Sequence, residues 1–152
     1  MDLGIANRKA LVTGASRGLG RSIASCLAEE GVQVAMVARN ETDIKSFINE
    51  HDGKHTGLIY DLKPEGNPTK MVTELIDEFG YPDIIVHNVG GNLDITDPLC
   101  GISEWQEVYR FNLEIAIELN QLLIPHMQKN RWGRIVHISS IAALENQGTV
   151  PY

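Results

Sequence analysis

The sequence predicts an α/β fold, a doubly wound parallel sheet with helices on both faces. Five short apolar runs alternate along the chain with longer amphipathic segments, which is the pattern of strand–helix–strand units. A turn with three glycines joins the first run to the first amphipathic segment, and small or polar residues follow every run. Because crossovers between parallel strands contain a helix and are right-handed, the five strands are expected to form one parallel sheet.

The predicted strands cover residues 10–12, 32–37, 58–60, 84–87 and 135–138. Capping residues mark the helices between them. Asn40 is expected to cap the second helix, and Pro68 to lie in the first turn of the third. Gly31 and Gly80 are expected to end the helices that precede them. No repeat or linker interrupts this order, so the 152 residues are predicted to form one domain.

A long helix is predicted to begin at Ser103, because Ser103 and Gln106 have the spacing of a capping box. One face of this helix carries a stripe of residues at helical spacing: Trp105, Val108, Tyr109, Asn112, Ile115, Ala116, Leu119, Leu122 and Leu123. Asn112 is the polar member of the stripe, so it is either a hydrogen-bonded structural asparagine or part of a site. Pro125 is expected to disturb or end the helix.

Composition argues against several classes of partner. The formal net charge of -7 and the scattered lysines and arginines argue against nucleic acid. Cys26 and Cys100 have neither the spacing of a disulfide framework nor a histidine partner, so we expect no metal site and a reducing compartment. No segment approaches the roughly 20 apolar residues that span a bilayer, and residues 1–9 do not form a signal peptide. A soluble cytoplasmic protein without a membrane partner is the expectation.

The turn between the first strand and the first helix, residues 13–20, reads Thr-Gly-Ala-Ser-Arg-Gly-Leu-Gly. Glycine at Gly14, Gly18 and Gly20 permits left-handed backbone angles and brings the backbone close to a pyrophosphate. The helix that follows directs its N-terminus at the negative charge. The turn is therefore a candidate phosphate-binding site, and a glycine-rich turn without a ligand is the alternative for the motif alone.

The end of the second strand bears on the choice of cofactor, because ligands of open parallel sheets bind beyond the carboxyl ends of the strands. Arg39 follows this strand, and an arginine here can hold a 2′-phosphate on the adenosine ribose. Arg17 could contact the same phosphate from the glycine turn, so the pair favours NADP(H) over NAD(H). The alternatives for Arg39 are a solvated surface charge and an ion pair with Glu41.

Taken in order, these motifs resemble the short-chain dehydrogenase/reductase family, nearest to the type that reduces 3-oxoacyl groups on a carrier protein. The resemblance covers essentially the whole chain and implies a Rossmann-like sheet. The residues that carry it are the glycine motif at 13–20, Asp61, the run His87-Asn88-Val89-Gly90, Asn112, the run Gly133-Arg134-Ile135-Val136 leading to Ser139 and Ser140, and Tyr152.

The resemblance implies three catalytic residues. Tyr152 would be the general acid that protonates the carbonyl oxygen, and Ser140 would hold that oxygen. Asn112 would hold a water in the proton relay. Ser139 would take the place of Ser140 if the register of the fifth strand is shifted by one residue. The implied cofactor-binding residues are Gly14, Ser16, Arg17, Gly18, Leu19, Gly20, Arg39, Asp61, Leu62, Asn88, Val89 and Gly90.

The chain also departs from the family pattern. His87 and His137 stand where asparagines are usual, and both are interpreted as packing variants rather than metal ligands. The sequence ends at Tyr152, before a lysine that the family places four residues later to lower the pKa of the tyrosine. Residues 1–152 are therefore expected to be a C-terminally incomplete NADP(H)-binding domain that lacks the last strands of the family fold and is inactive by itself.

The leading hypothesis is an NADP(H)-dependent oxidoreductase that transfers hydride between the nicotinamide and a small carbonyl or alcohol substrate. The alternative is a truncated nucleotide-binding module without turnover. A nucleotide-sugar epimerase or dehydratase ranks third, because those enzymes usually have an acidic residue where Arg39 stands. The long helix carries a second apolar row that resembles the subunit-pairing face of the family, which implies a homo-dimer or homo-tetramer: Leu113, Ile117 and Ile124. Four residues are expected to pack the long helix or line a substrate pocket: Leu93, Ile95, Leu99 and Ile102.

Overall fold

Five parallel strands form one sheet in the computed structural model, which describes residues 2–141. The strands are β1 (Lys9–Thr13), β2 (Gln33–Ala38), β3 (Thr56–Ile59), β4 (Ile84–His87) and β5 (Arg134–His137). They lie in the order β3-β2-β1-β4-β5, and every neighbouring pair is parallel. This order confirms the predicted doubly wound sheet. The order reverses between β1 and β4, where ligands of such sheets bind.

Helices connect the strands and cover both faces of the sheet. They are α1 (Gly18–Glu29), α2 (Glu41–Glu50), α3 (Asn67–Glu78), α4 (Ile102–Tyr109), a π-helical turn (Arg110–Glu114) and α5 (Ile115–Asn130). The cap at Asn40 is confirmed, because its Oδ1 accepts a hydrogen bond from Asp43 N at 3.2 Å. Gly31 and Gly80 follow α1 and α3 with φ of 77° and 90°, left-handed angles that suit glycine.

Neighbouring residues of the three central strands, β2, β1 and β4, contribute to two different cores. Leu11 faces the layer that contains Leu119 of α5, whereas Val12 faces the layer that contains Ala24 of α1 and Phe47 of α2. All five side chains are buried. Because both faces of the central strands are covered, their sequences read as unbroken apolar runs, and the strand ends are left to carry polar residues.

The long helix differs from the prediction at two points. It begins at Ile102 rather than at Ser103, because the carboxylate of Glu104 accepts a hydrogen bond from Gly101 N at 2.9 Å and caps the first turn there. Pro125 was expected to disturb or end the helix; it does not end it, since α5 continues through the proline to Asn130.

The predicted apolar stripe is interrupted at the π-helical turn. The buried members of the stripe are Val108, Ile115, Ala116, Leu119 and Leu123. Asn112, in contrast, is exposed, as are Tyr109 and Leu122. The hydrogen bonds of a π-helical turn span five residues rather than four, so the phase of the helix shifts between Val108 and Ile115. Asn112 therefore leaves the core face and lies beside the loop that follows β4.

Apolar side chains remain exposed on the outer face of α5 and along β5. Leu113, Ile117 and Leu122 are 39%, 44% and 37% exposed. Leu99 and Ile102 are also largely exposed, so the expectation that they pack against the long helix is wrong. Within residues 2–141, no helix combines the length and apolarity needed to cross a bilayer, and no three His, Cys, Asp or Glu side chains gather where they could share a metal ion.

Candidate functional site

The glycine turn after β1 is built on close backbone contacts. Gly14 and Gly18 have φ of 64° and 56°, in the left-handed region. Gly20 is needed for a different reason. A Cβ there would lie 2.5 Å from both Asn88 Nδ2 and Gly14 O, so any larger residue would push the turn away from the end of β4. The predicted glycines thus hold the turn against the neighbouring strand.

Thr13 joins the glycine turn to the end of β4. Its buried hydroxyl accepts hydrogen bonds from Asn88 N at 3.0 Å and Val89 N at 3.2 Å, and it donates to Val86 O at 3.3 Å. The side-chain amide of Asn88 completes the junction by donating to Thr13 O and Gly14 O, both at 3.1 Å. Asn88 is therefore a structural link between the two segments as well as a wall of the site.

A cleft of about 790 Å³ opens at the carboxyl edge of the sheet. The structure brings together ten of the predicted cofactor-binding residues along it: Gly14, Ser16, Arg17, Gly18, Arg39, Asp61, Leu62, Asn88, Val89 and Gly90. Two others lie outside its walls. Leu19 is 57% exposed on α1, and Gly20 is buried beneath the turn.

Several lining residues were not predicted from the sequence. They are Val37, Ala38, Asn40, Glu41, Asp43, Tyr60 and Phe111. Most adjoin predicted residues at the strand ends, so their position next to Arg39 or Asp61 was a usable signal. Phe111 directly precedes the predicted Asn112, but the helical spacing did not predict the π-helical turn that brings it to the cleft. The Tyr60 hydroxyl donates to Glu74 at 2.5 Å, and this hydrogen bond is the main cause that raises the pKa of Tyr60.

The two arginines of the cleft have no ion pair among residues 2–141. Glu41, the alternative partner of Arg39, instead pairs with Lys45 at 2.6 Å, and the hydrogen bond from Lys45 lowers the pKa of Glu41. Both Arg17 and Arg39 are exposed and line the cleft. Two guanidinium groups without acidic partners, in a cleft of this size, fit a polyanionic dinucleotide.

Asn112 lies behind the end of β4, and both polar atoms of its amide form hydrogen bonds. Its Oδ1 accepts from Gly91 N at 2.9 Å, and its Nδ2 donates to Gly91 O at 2.7 Å and to Val108 O at 2.9 Å. A Cβ on Gly90 would lie 2.7 Å from Asn112 Oδ1. The side chain thus holds the loop after β4 against the π-helical turn.

The other predicted catalytic residues belong to the end of β5 and beyond. Ser139 and Ser140 follow β5 and are exposed, and Ile138 N donates to His87 O at 2.9 Å, which fastens this segment to β4. Because β4 and β5 are parallel, the serines are at the same edge of the sheet as the cleft. Tyr152 lies outside the described residues.

The two histidines of the family motifs pack on each other. The rings of His87 and His137 stack with centroids 4.6 Å apart, and His87 Nε2 is hydrogen-bonded to Asn120 Oδ1 at 2.9 Å. Burial lowers the pKa of His87, and the nearby His137 lowers it further. Both contacts agree with the interpretation of these residues as packing variants.

Comparison with known proteins identifies the family. A family model described as short chain dehydrogenase matches residues 8–152. The chain belongs to this family. Among curated relatives of this chain, the 3-oxoacyl-(acyl-carrier-protein) reductase of Staphylococcus epidermidis is 36% identical over 151 residues, covering 96% of this chain and 62% of the relative. The enzyme of the same name from Vibrio cholerae is 30% identical, covering 99% of this chain and 62% of the relative.

A solved structure shares the fold. L-sorbose reductase from Gluconobacter frateurii, complexed with NADPH and L-sorbose, matches this chain with a TM-score of 0.90 and 28% identity. The match covers 99% of this chain and 59% of that structure. The chain therefore spans about three fifths of the length of the relatives it matches.

Proposed function

We propose that this short-chain dehydrogenase forms the cofactor-binding and catalytic part of an NADP(H)-dependent oxidoreductase acting on a small carbonyl or alcohol. The observation that carries the proposal is the cleft itself, which the glycine turn, Arg17, Arg39 and the segment that begins at Asn88 line together. The names of the two curated relatives, both reductases, support the reaction type. The NADPH bound to L-sorbose reductase supports the cofactor.

NADP(H) is proposed over NAD(H) because of the charge at the ribose end of the cleft. The 2′-phosphate is a dianion, and Arg39 and Arg17 offer it planar, permanently charged donors. Glu41 and Asp43 also line the cleft, but the carboxylate of Glu41 is paired with Lys45. The arginines are therefore the charges available to a phosphate there.

The protein's own residues would then support carbonyl reduction. Addition of hydride to the carbonyl carbon builds negative charge on the oxygen, and the nicotinamide supplies that hydride when bound. Ser140 is proposed to donate a hydrogen bond to this oxygen, and Tyr152 to protonate it. Asn112 is proposed to hold the loop after β4 and, through its remaining acceptor capacity, a water of the proton relay.

Assembly is proposed from the outer face of α5. Leu113 and Ile117, at 39% and 44% exposed, form an apolar surface on the helix that the family resemblance assigns to subunit pairing. A homo-dimer or homo-tetramer would cover it. A cytoplasmic location stays a prediction from the sequence.

Cofactor choice is tested by fluorescence titration of the chain with NADPH and NADH. We expect NADPH to bind at least about tenfold more tightly, and Arg39→Asp to remove or reverse this preference, since about 1.4 kcal/mol corresponds to tenfold. Lys54→Asp, the same change of charge on an exposed loop, is the matched control. Equal effects of the two substitutions would show that Arg39 acts only through overall charge.

Turnover is tested with the protein extended to the length of its relatives, by following NADPH oxidation with a panel of ketones and aldehydes. We expect Tyr152→Phe to abolish turnover and to leave NADPH binding unchanged. Tight NADPH binding without oxidation of any carbonyl would favour the nucleotide-binding module. Turnover unchanged in Tyr152→Phe would refute the role of the tyrosine.

A further inference from the structure

Arg110 begins the π-helical turn and is held by carboxylates on the same helix. Its side chain is 13% exposed. The guanidinium donates to both oxygens of Glu118, from Nη1 at 2.6 Å and from Nη2 at 3.2 Å, and Nη1 lies 3.7 Å from Glu114. A two-point fork of this kind fixes both the position and the plane of the guanidinium group. Its remaining nitrogen, Nε, therefore points in a defined direction.

Arg110 Nε donates to Lys63 O at 3.2 Å, in the segment that follows β3. A second contact joins the segment after β3 to α4, the helix that directly precedes the π-helical turn, because Lys63 Nζ lies 2.9 Å from Glu107. The residues directly before Lys63, Asp61 and Leu62, line the cleft. Lys63 N donates to Asp61 Oδ1 at 3.0 Å, so the fastened carbonyl and the cleft wall belong to one short turn.

The residues after Arg110 reach the part of the cleft wall that follows β4. Phe111 lines the cleft directly. Asn112 holds Gly91 through both backbone polar groups, and the preceding Gly90 lines the cleft. One short helical turn is thus attached to the wall after β3 through Arg110 and to the wall after β4 through Asn112.

We infer that Arg110 is a positioning residue that sets the spacing between these two walls of the cleft. The inference rests on the proposed function, because it assigns the spacing to a bound dinucleotide. Loss of Arg110 removes its hydrogen bond to Lys63 O and leaves the more exposed pair of Lys63 and Glu107, so the cleft no longer presents both walls in one geometry. Lysine cannot replace it, since an ammonium group has no fork to hold against Glu118 while a separate nitrogen reaches Lys63 O.

Amide hydrogen exchange tests the bridge without any ligand. In Arg110→Met we expect exchange at Lys63 N and at Gly91 N to accelerate by about tenfold or more, while Ala15 N, bonded to Val37 O, is unchanged. Glu118→Gln, which weakens the fork but keeps its shape, should show a smaller change at the same two amides. The control is Arg8→Met, which removes an arginine bonded to Asp83 at the opposite edge of the sheet. Acceleration at Lys63 alone would overturn the bridge, as would the same pattern in Arg8→Met.

Cofactor titration tests the consequence for binding. We expect Arg110→Met to weaken NADPH about tenfold, Arg110→Lys to recover little of this loss, and Arg8→Met to bind as the unsubstituted chain does. An affinity within twofold of the unsubstituted chain in Arg110→Met would overturn the assignment. Failure of the unsubstituted chain to bind NADPH would refute the proposed function instead, and the exchange rates would still decide whether Arg110 joins the two walls.

Discussion

The carboxamide of Asn112 is bonded to both backbone polar groups of Gly91, a residue 21 positions earlier in the chain. We predict that Asn112→Ala lowers the free energy of unfolding by about 1–2 kcal/mol, because three hydrogen bonds of a partly exposed amide are lost. Urea unfolding measures this change. Asn49→Ala, on the exposed face of α2, is the control and should stay within about 0.5 kcal/mol. Equal stability of the two variants would contradict the role of Asn112 in holding the loop.

A second prediction concerns the contact beneath the glycine turn. Gly20→Ala places a methyl group 2.5 Å from Asn88 Nδ2 and from the backbone oxygen of Gly14, so the turn must move. We expect NADPH affinity to fall by about tenfold or more and the unfolding midpoint to drop. Gly18→Ala meets no atom within 4 Å and carries only the strain of its φ of 56°, at about 1–2 kcal/mol. The two variants should therefore differ in NADPH affinity, and similar affinities would argue against the steric account.

The hydroxyl of Thr13 provides a third test. Thr13→Val keeps the shape of the side chain but leaves the N–H groups of Asn88 and Val89 without their acceptor, and we expect a loss of about 2–3 kcal/mol in the free energy of unfolding. Thr13→Ser should retain most of the stability. Thr73→Val removes a hydroxyl that donates to Thr69 O on the exposed face of α3, and it should have little effect. A valine variant as stable as the serine variant would show that the hydroxyl is dispensable.

The pH dependence of stability follows from His87. Burial lowers its pKa in the folded protein, so below the unfolded value of about 6.5 the unfolded chain binds more protons. The contribution of neutral His87 to the free energy of unfolding is therefore fully present above about pH 6.5, and it is lost as the pH falls through the lowered pKa. We predict that the drop in unfolding midpoint between pH 7.5 and 5.5 is smaller in His87→Asn than in the unsubstituted chain. His126→Asn, which changes a half-buried histidine of α5 that stacks on Tyr81, is the control and should leave the drop unchanged. An equally large drop in His87→Asn would remove His87 as its source.

Much of the fold was predictable because burial on both faces of a strand leaves unbroken apolar runs. Each predicted strand agrees with the structure to within two residues at either end. The meeting of the polar residues that follow the strands was also predictable, because parallel strands place all their carboxyl ends at one edge of the sheet. Arg17, Arg39 and Asp61 thus came together in one cleft as expected.

The π-helical turn was not predictable from the sequence. The residues up to Val108 follow the apolar spacing of an α-helix. Nothing in the local sequence marks the extra residue of the π-helical turn that comes next. The partner that stabilises the turn, Gly91, lies outside the helix, so the phase shift depends on a tertiary contact. For this reason Asn112 was placed on the core face, and neither Phe111 nor Arg110 was recognised as part of the site.

The contacts of Thr13 also bear on how a ligand would enter. One hydroxyl fastens the glycine turn to the end of β4, and Asn88 doubles that fastening, so these two segments should shift as one rigid unit. Binding and release must then be accommodated by movement elsewhere in the cleft. In kinetic terms, substitutions at Thr13 should alter how tightly a nucleotide is held far more than how quickly it arrives.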